Sequence, residues 1–280
     1  MTAALTRFIS RGAVQIVLAV IALVWLVPAL GLLFASLRTA ADNNQTGWWK
    51  ALTDPAQLTF DNYRNLLDNP DMVDAFWNTV FITVPTVVIL TVIAALAAYA
   101  FAWIEFPGRD ALFLVVVGLL VVPIQVGLIP VARLFGDIGI YGDLLGIILF
   151  HVAFGLPFAV FLLRNFFAGI PRDLLEAARM DGAGELTVFA RVVLPLGMPA
   201  IASLAIFQFL WVWNDLLVAL VFSSPENRPL TLAIQNQTRQ FGASIDIISS
   251  GAFLSMIVPL IVFFAFQRYF VRGVLAGSVK

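Results

Sequence analysis

Six long apolar stretches separated by polar segments dominate the sequence. Each one has about the 20 apolar residues that an α-helix needs to cross a hydrocarbon core about 30 Å thick. Asp215 is the charge inside the fifth stretch, and Gln267 and Arg268 lie near the end of the sixth, where long side chains reach the interface. The pattern predicts six membrane-spanning helices at residues 12–36, 80–104, 111–132, 144–163, 199–222 and 248–270.

The composition agrees with a protein that uses lipid as its solvent. Of the 280 residues, 61% are hydrophobic and only 12% are charged, and the mean hydropathy is +0.97. These values exclude a soluble domain. We predict an all-α, polytopic membrane protein with a single transmembrane domain over residues 1–280. The first apolar stretch is longer than the hydrophobic region of a signal peptide, so we expect it to be retained as the first span.

The same composition excludes several kinds of chemistry. The chain has no cysteine, so it has no disulfide and no thiolate ligand or nucleophile. A net charge of −1 gives no basic surface for nucleic acid. Neither lysine, Lys50 or Lys280, lies in a glycine-rich phosphate-binding loop. We therefore expect no catalytic residue, no metal site, no cofactor in this chain and no nucleic-acid partner.

The distribution of arginine and lysine predicts the orientation of the chain. With the N-terminus inside, ten of the 16 basic residues fall on the cytoplasmic side and six fall outside. Positively charged residues concentrate on the cytoplasmic side of membrane proteins, so both termini are predicted to be cytoplasmic. The cytoplasmic set is Arg7, Arg11, Arg109, Arg164, Arg172, Arg179, Arg191, Arg268, Arg272 and Lys280.

A charged segment, residues 169–195, connects the fourth and fifth apolar stretches; we call it the docking loop. Pro171 suits the first position of a helix, Asp173 lies in its positively polarised first turn, and Gly182 can take the left-handed conformation that ends it. These signals predict a helix of about eleven residues. Such a short helix is unstable alone in water, so it must pack against something.

The side chains of the docking loop suggest how it packs. Leu174, Leu175 and Ala178 are predicted to form an apolar strip, and Ala177 keeps the surface small enough for close approach. A second short helix is expected at residues 185–191, before two prolines, Pro195 and Pro199, break the path and open the fifth span. Periodicity alone also allows a helix lying on the inner leaflet of the membrane.

The spacing of residues in this loop carries a family resemblance. It reads Glu176-Ala177-Ala178, three residues, Gly182, nine residues, and then Val192-Val193-Leu194-Pro195. This resembles the loop by which bacterial ABC import permeases dock onto their ATPase subunits, with Val192 in place of isoleucine. The resemblance implies the MetI-like fold of type I importers, with a cytoplasmic coupling helix that ATP-driven closure of the ATPase dimer would move.

The resemblance also implies roles for individual residues of the docking loop. Glu176 would pair with a basic group on the ATPase, and Gly182 would allow close backbone contact. Glu176→Lys or Gly182→Asp should therefore uncouple transport without removing the protein from the membrane. The coupling set is Glu176, Ala177, Ala178, Gly182, Leu174, Leu194 and Pro195.

The C-terminal segment, residues 267–280, looks like the tail of the carbohydrate-importing branch, specifically the second permease of maltose or α-glucoside type. Weaker similarities to this branch occur at Asn62-Tyr63, Asn78-Thr79, Pro123, Gln125, Pro130 and Trp213-Asn214-Asp215. The resemblance implies that the tail contacts the ATPase through Gly277, Ser278, Val279 and Lys280.

The same resemblance implies a set of partners and a location. We expect a second, non-identical permease, two ATPase copies that bind ATP and Mg²⁺, and an extracytoplasmic sugar-binding protein. The location would be the cytoplasmic (inner) membrane of a prokaryote, with the chain embedded in the lipid bilayer. The outer segment 223–247 would contact the binding protein, or it would merely cap the bundle. The cargo would be a disaccharide, oligosaccharide or glucoside.

Polar and aromatic residues within the spans are the candidates for the substrate pathway. An ionisable side chain inside a span is costly and is by default functional, so Asp215 stands first. Asn214, Trp211 and Trp213 lie beside it and could bind hydroxyl groups and the apolar face of a sugar ring. Gln125 follows Pro123, which distorts its helix and frees backbone carbonyls.

Structural alternatives stay open for these residues. Tryptophans near the end of a span commonly form an interfacial belt. Asp215 could pair with an arginine or with the second permease, and Gln125 could join two helices through a hydrogen bond. His151, the one histidine of the chain, has no nearby carboxylate in sequence and is interpreted as structural.

Two other classes of function compete with an ATP-driven importer. An ion-coupled secondary transporter would use Asp215 as a proton or cation site, but such proteins have broken helices and an internal repeat, and no convincing repeat is present. An intramembrane enzyme is also disfavoured. The chain has one histidine, no cysteine and no G-x-S-x-G motif, which leaves few catalytic groups.

Overall fold

The computed structural model describes residues 2–240 and 245–278, with side chains over residues 12–237 and 248–268. Every extended regular element in these residues is helical. Short 3₁₀ turns cover Trp48–Leu52 and Pro55–Gln57, and a π turn covers Phe189–Val193. The α-helices are α1 Thr2–Ser36, α2 Ala40–Gln45, α3 Asp61–Leu67, α4 Pro70–Trp103, α5 Arg109–Leu119, α6 Ile124–Asp137, α7 Leu144–Phe167, α8 Arg172–Met180, α9 Glu185–Val188, α10 Leu194–Trp213, α11 Leu217–Phe222, α12 Leu230–Gln240 and α13 Ile245–Ser278.

Five helical stretches of the described residues are long and apolar enough to cross a membrane. A sixth is obtained if the bent pair α5 and α6 forms one span. With that pair counted as one span, the structure has the six spans predicted from hydropathy. The second span, α4, begins at Pro70, ten residues before the predicted start at Val80. The five stretches are Gly12–Ser36, Pro70–Trp103, Leu144–Phe167, Glu185–Trp213 and Ile248–Arg268.

The third predicted span, residues 111–132, is not one continuous helix. Helix α5 ends at Leu119, α6 begins at Ile124, and the two axes differ by 100°. Pro123 causes the break because it has no N–H to donate and pushes the preceding residue out of the helical conformation. Its own backbone is extended, with φ −65° and ψ 134°.

The fifth predicted span, residues 199–222, also differs from the structure. Its helical path begins earlier, at Glu185, and ends at Trp213, where α11 follows as a separate short helix. Pro195 and Pro199 do not break this path. Pro195 lies in the first turn of α10, directly after the π turn, and the first turn of a helix tolerates a missing N–H.

Two compact units make up the fold. The first comprises Met1–Val73 and Ile234–Met256, and the second comprises Asp74–Ala233 and Ile257–Lys280. The second unit holds α4 to α11, with the docking loop and the predicted pathway residues.

Small side chains let the helices of the second unit pack closely. Ala94 and Ala98 of α4 are completely buried, and Gly197 of α10 lies against Phe167, where an added Cβ would be 2.5 Å from the ring. Lipid tails are as apolar as leucine, so helices associate in a membrane through close packing rather than through the hydrophobic effect. Helices α4, α7 and α10 therefore form the framework to which the docking loop is attached.

A fully buried arginine organises the first unit. The guanidinium of Arg38 donates to Gln57 Oε1 at 2.8 and 3.1 Å, to Asn43 Oδ1 at 3.4 Å, and to the carbonyl oxygens of Asp42 and Thr46 at 3.0 and 3.1 Å. All of these acceptors are uncharged oxygens. The charge is thus stabilised by hydrogen bonds that fold the segment after α1 around a single side chain.

Arg38→Met is expected to loosen this segment. A fully buried acceptor left without a donor costs about 1–3 kcal/mol; the acceptors of Arg38 lie in half-buried or exposed residues and lose less each, but all of them lose their donor at once. Limited proteolysis and the thermal midpoint of the detergent-solubilised protein measure the effect. The exposed Arg64→Met is the matched control, and equal behaviour of the two variants would contradict the assignment.

Candidate functional site

The docking loop contains a helix of nine residues, α8, Arg172–Met180. It is about two residues shorter than predicted because Pro171 and Asp181 flank it as its caps. The prediction for Gly182 is confirmed, since its φ is +84°. The amide of Ala183 donates to the carbonyl of Ala178 at 3.0 Å, which closes the helix end in the way that a left-handed glycine permits.

The two faces of α8 have different surroundings. Leu175 is completely buried, and Ala178 packs against the core of the second unit. Leu174 does not share this face, since 46% of it is exposed, so the predicted three-residue strip is wrong at Leu174. On a helix, residue 174 lies about 40° from residue 178 but about 100° from residue 175, so the buried arc centred on Leu175 is narrow and ends before Leu174.

The outward face of the docking loop carries apolar side chains. Leu174, Met180 and Leu186 are 46%, 87% and 77% exposed. Glu176 is exposed as well, and its carboxylate accepts from Arg172 Nε at 2.7 Å. Large apolar residues that protrude from a polar loop are typical of a surface for a protein partner.

The other predicted coupling residues occupy less prominent positions. Ala177 and Gly182 are exposed, Leu194 is half-buried against the core, and Pro195 is exposed at the start of α10. Gly277 and Ser278 belong to the last turn of α13, whereas Val279 and Lys280 lie outside the described residues. Roles for these residues stay predictions.

Asp215 lies in the break between α10 and α11. Its Oδ2 accepts hydrogen bonds from the amides of Val218 and Ala219 at 2.9 and 3.2 Å, in the first turn of α11. Its side chain is only 11% exposed, and Oδ2 is 3.7 Å from His151 Nε2. Within the described part of this chain, Asp215 therefore caps the start of α11 and lies beside a histidine, and it does not pair with the arginine considered from the sequence.

A small cavity adjoins this pair. Its volume is about 10 Å³, and Thr83, His151 and Asp215 contribute to its lining. His151 Nδ1 lies 2.9 Å from the carbonyl oxygen of Ile147 and so carries a proton. Within the described residues, His151 Nε2 and Thr83 Oγ1 are buried without a hydrogen-bond partner. The cavity has the size of one water molecule.

The remaining pathway candidates do not form one cluster. Trp211 is 37% exposed and packs edge-to-face on His151 at 5.3 Å. Trp213 is 2% exposed and packs among aromatic rings of the second unit. Asn214 is exposed and donates to the carbonyl of Leu210 at 2.8 Å. Gln125 is exposed in the first turn of α6. Trp211 and Asp215 therefore both lie next to His151, whereas Trp213 lies in the core.

The family of the chain follows from a match to known proteins. Residues 71–276 match the family described as the binding-protein-dependent transport system inner membrane component. The chain belongs to this family. The matched region of this permease contains the docking loop and all five predicted pathway residues.

The permease is similar over most of its length to characterised transport proteins. It is 49% identical over 280 residues to the osmoprotective compounds uptake permease protein GgtD of a Synechocystis species, covering 98% of this chain and 94% of that protein. It is 49% identical over 235 residues to the alpha-glucoside transport system permease protein AglG of Rhizobium meliloti, covering 81% of this chain and 62% of that protein.

A solved structure shares the fold of the permease. It is that of a bacterial ABC transporter involved in the import of the acidic polysaccharide alginate, with a TM-score of 0.82 and 25% identity, covering 94% of this chain and 96% of that one. The predicted all-helical ABC importer permease is thereby confirmed. The permease is an inner membrane component of a transporter rather than a catalytic enzyme, and the ion-coupled alternative is left without support.

Replacing Asp215 of the permease tests whether its side chain stabilises the start of α11 or acts on the substrate. Asp215→Asn keeps an oxygen for the first turn of α11, so we expect it to retain most transport. Asp215→Ala removes the acceptor and should cost about 1 kcal/mol of stability. Transport into proteoliposomes and the thermal midpoint measure the two effects, with Asp137→Asn at an exposed position as the control. Lost transport at normal stability in Asp215→Asn would instead indicate that the charge acts on substrate.

Proposed function

We propose that the permease carries a carbohydrate of the disaccharide, oligosaccharide or glucoside class across the cytoplasmic membrane, driven by ATP hydrolysis in a separate subunit. The observation that carries the proposal is the docking loop. Helix α8 is anchored by the buried Leu175, while Leu174 and Met180 of α8 and Leu186 of α9 are exposed. An anchored helix with an apolar outer face can transmit the movement of a soluble partner to the spans behind it.

The substrate class rests on the relatives rather than on a pocket. Relatives at 49% identity are named for osmoprotective compounds and for alpha-glucosides. Small glucosides satisfy both names, because a polyhydroxylated compound can serve as an osmoprotectant. We infer that Trp211, Asn214 and Gln125, which are exposed, remain the best candidates to meet the sugar.

The proposed assembly contains two copies of an ATPase, a second, non-identical permease and an extracytoplasmic binding protein. The ATPase copies would bind ATP and Mg²⁺, so this chain would need no cofactor. Both termini would be cytoplasmic, as the distribution of basic residues favours. The tail residues from Gly277 to Lys280 would reach the ATPase.

The segment 223–229 is proposed to meet the binding protein. Asn78 Nδ2 donates to the carbonyls of Glu226 and Arg228 at 3.1 and 3.2 Å, and Asn227 Nδ2 donates to the carbonyl of Gly142 at 2.9 Å. These side-chain bonds hold a polar loop in one conformation. A surface that is ordered in advance loses less entropy when a transient partner binds.

Competition for uptake tests the proposed substrate class. Membrane vesicles that contain the permease, its ATPase and the binding protein should take up a labelled α-linked disaccharide only when ATP is present inside. Excess unlabelled glucosides should compete, while amino acids and inorganic ions should not. Uptake that follows an ion gradient without ATP would contradict the proposal.

A further inference from the structure

Three polar side chains from three helices meet where the docking loop contacts the end of α4. Glu185, at the start of α9, accepts a hydrogen bond from Tyr99 Oη of α4 at 2.5 Å. Arg179, in the last turn of α8, donates to the same carboxylate through Nε at 2.9 Å and through Nη2 at 3.2 Å. Nη2 also lies 3.4 Å from the carbonyl oxygen of Trp103. We call Tyr99, Arg179 and Glu185 the clamp.

Each member of the clamp belongs to a different mechanical element. Arg179 is part of α8, the short helix that carries the docking surface, which we define as the exposed side chains of Leu174, Glu176 and Met180. Glu185 is the first residue of the helical path Glu185–Trp213, and Tyr99 lies one turn before the end of the path Pro70–Trp103. The clamp therefore connects the docking helix to the ends of two membrane-spanning helices.

The polar contacts constrain movement in a way that the apolar contacts do not. Leu175 is buried and resists separation of α8 from the core, but contacts between apolar surfaces have no preferred direction and allow sliding. A two-pronged guanidinium–carboxylate pair fixes both distance and orientation. Arg179 remains charged throughout, since its hydrogen bond to Glu185 raises the pKa of the guanidinium above its usual value.

Stability alone does not explain the clamp. The side chains of Arg179 and Glu185 are 32% and 46% exposed, and ion pairs with this much solvent contribute little to folding. A contact of small energetic value that joins three helices is better suited to fixing their geometry than to holding the fold together.

We propose that the clamp is the positioning device that passes movement of the docking helix to the two spans, with Glu185 as its central residue. This inference rests on the proposed function, because it assumes that an ATPase moves the docking helix. Tyr99 and Glu185 act through α8 and are not part of the docking surface itself.

Two conservative variants test the clamp. Tyr99→Phe removes the hydroxyl but keeps the ring that packs on Phe189 at 5.3 Å, and Glu185→Gln keeps the size but removes the charge. The matched control is Tyr141→Phe, which removes a hydroxyl bonded to the carbonyl of Val221 at 2.6 Å, away from the docking loop. The measured quantity is sugar transported per ATP hydrolysed in proteoliposomes, with the thermal midpoint and the amount of co-purified ATPase recorded alongside.

Both clamp variants should co-purify with the same amount of ATPase as the wild type and have the same thermal midpoint. The sugar transported per ATP should fall about fivefold or more, which is the size of effect expected when two sites lose a coupling free energy of about 1 kcal/mol. Tyr141→Phe should match the wild type. Unchanged transport per ATP in both clamp variants would overturn the inference, and so would loss of ATPase binding in proportion to loss of transport, which indicates a docking contact instead. A wild-type complex that carries no ATPase would contradict the proposed function itself.

Discussion

Glu176→Lys is expected to abolish coupled transport while leaving the permease in the membrane. The carboxylate is on the exposed face of α8, and its side chain is 51% exposed. The substitution removes an exposed ion pair between Glu176 and Arg172. It also places two positive charges four residues apart on the helix, which costs a few tenths of a kcal/mol. Leu175, which anchors the helix, is untouched. Any large effect must therefore arise in the contact with the ATPase.

The expected loss is about 2 kcal/mol or more in docking, which corresponds to roughly thirtyfold in affinity. ATPase co-purification and sugar uptake in vesicles measure it. Glu105→Lys is the matched control, since Glu105 is an exposed glutamate outside the docking loop. If both variants transport like the wild type, Glu176 does not contact the ATPase.

Gly182→Asp is expected to have a similarly large effect for a different reason. The residue has φ +84°, a conformation in which a side chain costs about 1–2 kcal/mol. It also closes the end of α8 on the exposed side of the loop, so the new carboxylate would stand beside the docking surface. Both the shape and the charge of that surface change.

The chain offers a close control for this substitution in Gly184. Gly184 has an ordinary φ of −72°, open space around its Cα and the position before α9, where aspartate is a favourable helix cap. Gly184→Asp should therefore retain transport, measured as uptake at equal protein in the membrane, whereas Gly182→Asp should not. Equal loss in the two variants would point to added charge alone and against a requirement for the left-handed turn.

The fold could be predicted from the sequence wherever one local property decides the structure. Twenty apolar residues in a row have few stable conformations other than a spanning helix, because lipid offers no partner for backbone polar groups. The left-handed turn at Gly182 could also be predicted from local sequence, since glycine readily adopts a positive φ. The spacing of the docking loop added the family, which periodicity alone could not provide.

Hydropathy predicted one continuous helix where the apolar sequence runs through a break between two helices. Residues 111–132 contain a single polar side chain, Gln125, yet the axis turns by 100° between α5 and α6. Prolines act differently by context: Pro123 precedes α6 as its N-cap after a break, whereas Pro195 and Pro199 lie within α10. Sequence patterns do not show which prolines a helix accommodates.

The contacts that define the site are long-range and therefore hidden in the sequence. Tyr99 and Glu185 are 86 residues apart along the chain, and His151 and Asp215 are also far apart in the sequence. His151 was interpreted as structural because no carboxylate is near it in the chain, and the structure supplies Asp215 at 3.7 Å. A polar residue within a span thus marks a position of interest, but its partner has to come from the fold.

ATPase activity of the complex purified through a tag on this chain is the most direct test of the account. It should be measured with and without binding protein charged with candidate glucosides. The account predicts a co-purified ATPase whose activity rises when one particular charged binding protein is added, which would also identify the sugar. Absence of any ATPase, together with transport that does not depend on nucleotide in proteoliposomes, would contradict it.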